Sequence, residues 1–262
     1  MARRALVACL VLAFAGASCR IRAGTAPYWQ ETHGESSFKS LAATQKGAIV
    51  LNREGNALYR YPGEWGRPWV EEARLVASIV AGSPTAIYVF DERGGIRRRA
   101  SGSIRSYSGS NGWKVSALTA SETDALYVVS EGRVRAVRED RLSEELCPGR
   151  DAKVIAASGD EVVWVVDEGG NLLRADRTTC TPVDAPAALT AVSAFGAALS
   201  VVNRRGMAFR RLDNGWQTLA PPIRYRPDQF PEQAKIVALA QSALWLWAMD
   251  EEGCIHFLSD PT

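Results

Sequence analysis

Glu161-Val162-Val163-Trp164-Val165-Val166-Asp167-Glu168-Gly169-Gly170-Asn171-Leu172-Leu173-Arg174 reads as an apolar strand, a tight turn and a second strand. Valines and a tryptophan fill the first arm with little polar alternation, the pattern of a strand covered on both faces. Asp167 opens the turn, because a short polar side chain accepts the backbone N–H two residues on. Gly169 closes it, because the last position of a short hairpin loop favours positive φ.

The same phrase returns as Ile49-Val50-Leu51-Asn52-Arg53-Glu54-Gly55 and Tyr88-Val89-Phe90-Asp91-Glu92-Arg93-Gly94. Further copies are Tyr127-Val128-Val129-Ser130-Glu131-Gly132, Val201-Val202-Asn203-Arg204-Arg205-Gly206 and Trp247-Ala248-Met249-Asp250-Glu251-Glu252-Gly253. Successive turn glycines lie 39, 38, 37, 37 and 47 residues apart. A fixed period of this size marks a solenoid or a propeller. Upstream of each turn runs an Ala-rich apolar segment, at 40–43, 75–78, 114–118, 153–157, 189–192 and 235–239. Small residues there suit an innermost strand crowded around a central channel. Downstream, Trp65, Trp113 and Trp216 mark an outer strand. Each copy then holds four short strands, one blade. The expected fold is all-β: a six-bladed β-propeller with four short strands per blade.

The two ends imply closure. The sixth copy stops nine residues after Gly253, too early for an outer strand. Pro27-Tyr28-Trp29-Gln30-Glu31-Thr32 precedes the first innermost strand and carries a Trp. The N-terminal strand is therefore expected to complete the last blade beside residues 254–259, which removes an exposed sheet edge. All-β folds of this length are routinely single domains, so 27–262 reads as one propeller domain.

Met1-Ala2-Arg3-Arg4 is a basic start, and residues 5–15 form an apolar run too short to span a bilayer. Residues 1–18 read as a secretory signal peptide and 19–26 as a short tether. Gly16-Ala17-Ser18-Cys19 resembles the processing site of bacterial lipoproteins, although that pattern usually has a Leu or similar where Gly16 stands. Lipidation of Cys19 and ordinary cleavage nearby both remain open. The expected location is exported, as an outer-membrane or periplasmic lipoprotein or, alternatively, secreted. Losing Arg3 and Arg4 leaves 29 basic against 29 acidic residues. That balance argues against nucleic acid as a partner and leaves a lipid anchor as the only expected membrane contact. A monomer is expected.

Beyond Cys9 and Cys19, the cysteines are Cys147, Cys180 and Cys254. Cys147 and Cys180 fall in the outer segments of the third and fourth copies, which lack the outer Trp. An exported chain permits a disulfide between them; the alternative is two small core residues, since outer strands diverge toward the rim. One interval breaks the period: Ala220-Pro221-Pro222-Ile223-Arg224-Tyr225-Arg226-Pro227-Asp228-Gln229-Phe230-Pro231. Long loops on rigid scaffolds often carry binding, which makes Arg224, Tyr225, Arg226 and Phe230 candidate contacts. The bland reading is a surface excursion capping a blade edge. Arg60, Arg99, Arg174 and Arg211 recur five residues after turn glycines and are expected to pair with carboxylates such as Asp91 or Asp167.

Chemistry leaves few marks. His33 and His256 are the only histidines, without a third ligand at fixed spacing. No nucleophile elbow, zinc-protease pair, phosphate loop or dinucleotide fingerprint occurs. The Asp-Glu-Gly-Gly turn lacks the alternating carboxylates of a calcium loop. No catalytic residue, metal site or cofactor is assigned.

Gly95-Ile96-Arg97-Arg98-Arg99, then Asn111-Gly112-Trp113, Val115-Ser116-Ala117-Leu118 and Leu126-Tyr127-Val128-Val129, resembles a tectonin-type repeat. Trp164-Val165-Val166-Asp167 and Ser200-Val201-Val202-Asn203 resemble its second strand pair. The likeness covers residues 38–259 and implies a six-bladed propeller used in lectin-like recognition of sugars or microbial surfaces. Asn56-Ala57-Leu58-Tyr59-Arg60 with Gly63-Glu64-Trp65 is similar to the quinoprotein-type repeat of outer-membrane assembly lipoproteins, which usually carry eight blades. The expected function is non-enzymatic binding or scaffolding of a protein or glycan in the bacterial cell envelope. The alternative is a propeller enzyme, of lyase or lactonase type, with its site at a channel mouth.

Overall fold

The computed structural model describes residues 29–31, 38–44, 47–52, 58–60, 70–73, 77–91 and 94–259, apart from 101–102, 108–109, 111, 139, 160, 177–178 and 225–229. Among them lie six antiparallel four-stranded sheets and one two-stranded sheet. The fold is a β-propeller. The innermost strands are Phe38–Thr44, Ala77–Gly82, Val115–Ala120, Ala152–Ser158, Leu189–Phe195 and Ile236–Gln241. Each touches the next, and the last touches the first, so the ring is closed.

Closure is made by the chain's front end. Trp29–Glu31 pairs antiparallel with Ile255–Ser259, opposing Trp29 to Leu258 and Gln30 to Phe257. The second strand of each described blade is almost wholly buried, as its unalternating pattern requires. The oily clusters lie between adjacent blades; one joins Ala156, Val166 and Leu172 of blade four to Leu189, Val192 and Val201 of blade five.

All six innermost strands share a feature with no marker in the sequence. Each slips register one residue after it begins, between Phe38 and Ser40, Ala77 and Ile79, Val115 and Ala117, Ala152 and Val154, Leu189 and Ala191, and Ile236 and Ala238. A bulge sharpens local twist. Its recurrence bends every innermost strand at the same end of the channel.

The turns join blade to blade. Gly132 O accepts the Ala152 N–H, Gly170 O that of Leu189, Gly206 O that of Ile236, and Gly253 O that of Phe38. The last of these crosses the closure, so the final joint repeats the others. Asn203 Oδ1 accepts the Arg205 N–H and Asp250 Oδ1 the Glu252 N–H, two residues on. Asp91, Asp167, Asn203 and Asp250 also accept the N–H four residues on. One turn corrects the sequence reading: Gly170, not Gly169, takes the positive φ, because Asn171 extends that loop back to Asp167. Trp113 also moves, lying after the outer strand Ser103–Tyr107 on the link to blade three. Trp65 lies outside the described residues.

Gly170 is doubly constrained. Its φ is +79°, and an added Cβ would sit 2.9 Å from both Ala188 Cα and Leu189 N of the next blade. Gly170→Ala is expected to cost about 3 kcal/mol, combining left-handed strain with a backbone clash. Gly159→Ala supplies the comparison, with a positive φ but no atom within 4 Å of its Cβ. Equal losses in denaturant titrations of the two variants would count against the blade-to-blade contact.

Candidate functional site

The propeller has two unlike faces. One carries the glycine turns and the links between blades. The other carries the loops joining each innermost strand to its neighbour.

The insert stands on the turn face. Ile223–Arg224 pairs antiparallel with Glu232–Gln233, making a small hairpin between blades five and six. Phe230, just before the second strand, is 94 % exposed, and Ile223 in the first strand is exposed as well. Arg224, one of the candidate contacts, is 5 % exposed and turned inward. Its guanidinium binds Asp250 at 2.9 Å, Glu232 at 3.0 Å and Glu252 at 2.9 Å. A buried cation needs such partners, because an unpaired one loses its hydration without return. Tyr225 and Arg226 lie outside the described residues.

Asp250 organises this cluster. Its Oδ1 accepts the Glu252 and Cys254 N–H groups, while Oδ2 meets Arg224 and the His256 ring at 3.0 Å. Burial pushes the Asp250 carboxyl up, but bonds from His256, the Cys254 N–H and Arg224 outweigh it and hold it at about 2. His256 is buried here, inside blade six. His33 lies outside the described residues.

The loop face opens on a small cleft of about 20 Å3 that all six blades line, among others with Thr44, Ser83, Glu122, Ala157, Phe195 and Gln241. Glu122 reaches from blade three and accepts the N–H of Gly159 in blade four and of Gly196 in blade five. The Ser158 hydroxyl donates to Gly196 O beside it. The mouth therefore offers one carboxylate held by backbone donors, amid hydroxyls and an amide. Among the described residues, no three His, Cys, Asp or Glu side chains converge as metal ligands.

Between blades two and three, Asp124 collects four polar neighbours. Ser83 and Thr85 donate hydroxyls to its carboxylate, Arg98 binds it at 2.7 Å, and the Tyr88 hydroxyl donates to its carbonyl at 3.2 Å. Arg98 also donates Nε–H to the Tyr88 oxygen at 3.1 Å. Burial raises the Asp124 carboxyl, but these bonds outweigh it and leave the group below its ordinary range. Tyr88 is fully buried, and loss of water pushes its phenol up to about 12 despite the lowering bond from Arg98. A raised folded value means the protection is complete below the ordinary value near 10 and disappears as pH rises through 12. The expected loss is about 2 kcal/mol between pH 10 and 12, absent from Tyr88→Phe in stability titrations.

The remaining arginines are scattered. Asp91 pairs with Arg97 at 2.8 Å, Arg174 meets Asp176 at 3.6 Å, and Arg211 stacks over Trp216 at 5.7 Å. The expected partner Asp167 instead binds Asn171. Strand alternation separates Arg98 from Arg97 and Arg99 and sends it toward blade three. Glu122 had no marker, since its loop differs in length between copies. Asp250 had one: it occupies the turn-opening position.

The fold and these two faces place the protein in the broad class of β-propellers. No family model and no curated protein matches the sequence. Among solved structures, virginiamycin B lyase from Staphylococcus aureus, in an inactive form with quinupristin, superposes with a TM-score of 0.58 at 14 % identity. The match covers 90 % of this chain and 100 % of that one. PorZ of Porphyromonas gingivalis, an essential surface component of a type-IX secretion system, gives 0.53 at 12 % identity over 89 % of this chain and 39 % of its own. Human WBSCR16 gives 0.56 at 10 % identity over 87 % and 77 %. Such identities establish a shared fold and nothing finer.

Proposed function

We propose that this protein is a non-enzymatic recognition propeller of the bacterial cell envelope, exported and anchored by lipid at Cys19, that binds a protein or glycan through its turn face. One observation carries the reading. The only interval that breaks the repeat forms a hairpin whose base is fixed through Arg224, yet it holds Phe230 almost wholly in solvent. Exposed aromatics on a rigid base lose little entropy on binding and are common anchors. The tectonin-type likeness favours lectin-like recognition, and PorZ illustrates a surface component that contains a propeller. The Cys147–Cys180 pair suits export, since oxidising compartments allow such bonds to persist.

The test keeps Arg224 intact. Tyr225→Ala, Arg226→Ala and Phe230→Ala together are expected to reduce crosslinked capture of the envelope partner at least tenfold, with Tm unchanged. Equal capture by the triple variant would sink the turn-face site. Palmitate should label the wild type and not Cys19→Ala; labelling of both, or of neither, would remove the anchor.

A further inference from the structure

Three successive joints at the propeller rim use one geometry. The outer strand of blade five places Trp216 opposite Arg211, three residues beyond Ala208. Its indole N–H donates to Asp184 O, on the link leaving blade four, at 2.9 Å. The outer strand of blade six places Trp29 opposite Leu258, three residues beyond Ile255. Its indole N–H donates to Ala220 O, on the link leaving blade five, at 2.6 Å.

Counting the same way in blade four reaches Ala175, three residues beyond Leu172, and its partner is Cys180. Cys180 therefore stands where the next two blades carry tryptophan. The receiving positions correspond as well. Leu219 donates its N–H to Ala208 O just before Ala220, and Leu146 donates to Val134 O just before Cys147. Val183 pairs with Leu172 just before Asp184. Cys147, Asp184 and Ala220 are thus equivalent. Cys147 and Cys180 are joined by a disulfide, with Cα atoms 5.3 Å apart.

We propose that the Cys147–Cys180 disulfide is a redox-sensitive rim staple, replacing at the joint between blades three and four the Trp-to-carbonyl staple of the two following joints. A cysteine side chain is too short to span the gap that an indole spans, so a reduced pair leaves this joint without its rim tie. Cys147 is fully buried and Cys180 half-buried, which directs attack to Cys180. A dithiol reductant acts in two steps. Its thiolate bonds to Cys180 Sγ, expelling the Cys147 thiolate, which takes a proton. Its second thiolate then attacks the reductant sulfur bonded to Cys180, displacing the Cys180 thiolate, which takes a proton, and the reductant leaves as a cyclic disulfide. Two electrons and two protons reach the protein. Opening is then local, because each blade joint has its own stability.

The experiment is hydrogen exchange on the full chain with and without dithiothreitol. Reduction is expected to raise exchange at least tenfold in residues 141–158 and 172–183, and to leave 208–224 unchanged. Cys147→Ala with Cys180→Ala should match the reduced wild type. Cys147→Ala with Cys180→Trp should match the oxidised wild type and ignore the dithiol, since among the described residues Cys147 O accepts a single long bond, from Arg150 at 3.3 Å, and a carbonyl can take a second, indole donor. Uniform acceleration across all blades, or none, would overturn the proposal. A folded tryptophan variant as labile as the double alanine would do the same. If neither variant folds, the unsubstituted chain still decides through its response to the dithiol.

Discussion

Trp29→Ala is expected to remove about 3 kcal/mol, or about 10 °C in Tm, and to free the N-terminal strand for proteolysis. Trp29 packs against the apolar cluster between blades five and six that includes Ala208, Leu219 and Leu258, and its indole N–H binds Ala220 O at 2.6 Å. The strand it sits on has only three residues. Backbone pairing over so short a length holds weakly without a large apolar anchor. Loss of that anchor bares the edge of Ile255–Ser259, the strand it covers, and an unpaired edge invites association between molecules. Trp216→Ala is the comparison, because its staple is equivalent but lies inside the chain. The Trp29 variant should therefore aggregate on heating where the Trp216 variant melts reversibly. Indistinguishable melting of the two would mean that closure does not depend on this side chain.

Asp250→Ala is expected to cost about 4 kcal/mol, because it leaves the Arg224 cation buried without its one fully buried carboxylate partner among the described residues. It also strips the acceptor from two turn N–H groups, those of Glu252 and Cys254. Asp250→Asn separates the two losses, since an amide oxygen still caps the turn but carries no charge. The hairpin at 220–235 should become protease-sensitive in both variants, and the blade itself more strongly in the first. The pH dependence follows from the folded value of about 2 against an ordinary 3.8. A depressed carboxyl contributes its stability above the ordinary value and loses it as pH falls through the folded one. About 2 kcal/mol should disappear between pH 4 and 2 in the wild type and not in Asp250→Asn. A flat acid profile in the wild type would show that Arg224 and His256 do not hold the carboxylate.

Much of the architecture was legible from local pattern. Unalternating arms such as Val162–Asp167 require cover on both faces, and a regular spacing of such arms leaves a radial array of sheets as the economical solution. Asp, Asn and Gly at each turn announced themselves because their chemistry is confined to a few neighbouring atoms. The closing strand was legible too, since the sixth repeat lacked an outer strand and the N-terminus carried a spare one. Arg224 was legible as unusual but not as buried. Whether a guanidinium faces solvent depends on carboxylates brought from Asp250, Glu232 and Glu252, and no local rule counts those.

The sequence by itself therefore determined the repeat, the strand content of each blade, the turn chemistry and the use of the front end to finish the ring. These follow from side-chain periodicity and backbone preference, which act over a few residues. Tertiary structure alone decided that Gly170 carries the turn, that every innermost strand is bulged at one end, that Glu122 spans three blades, and that Cys180 stands in a tryptophan's place. The first two depend on how a loop closes and two strands register within one blade, and the last two on atoms from separate repeats meeting at a distance that the packing of blade on blade supplies.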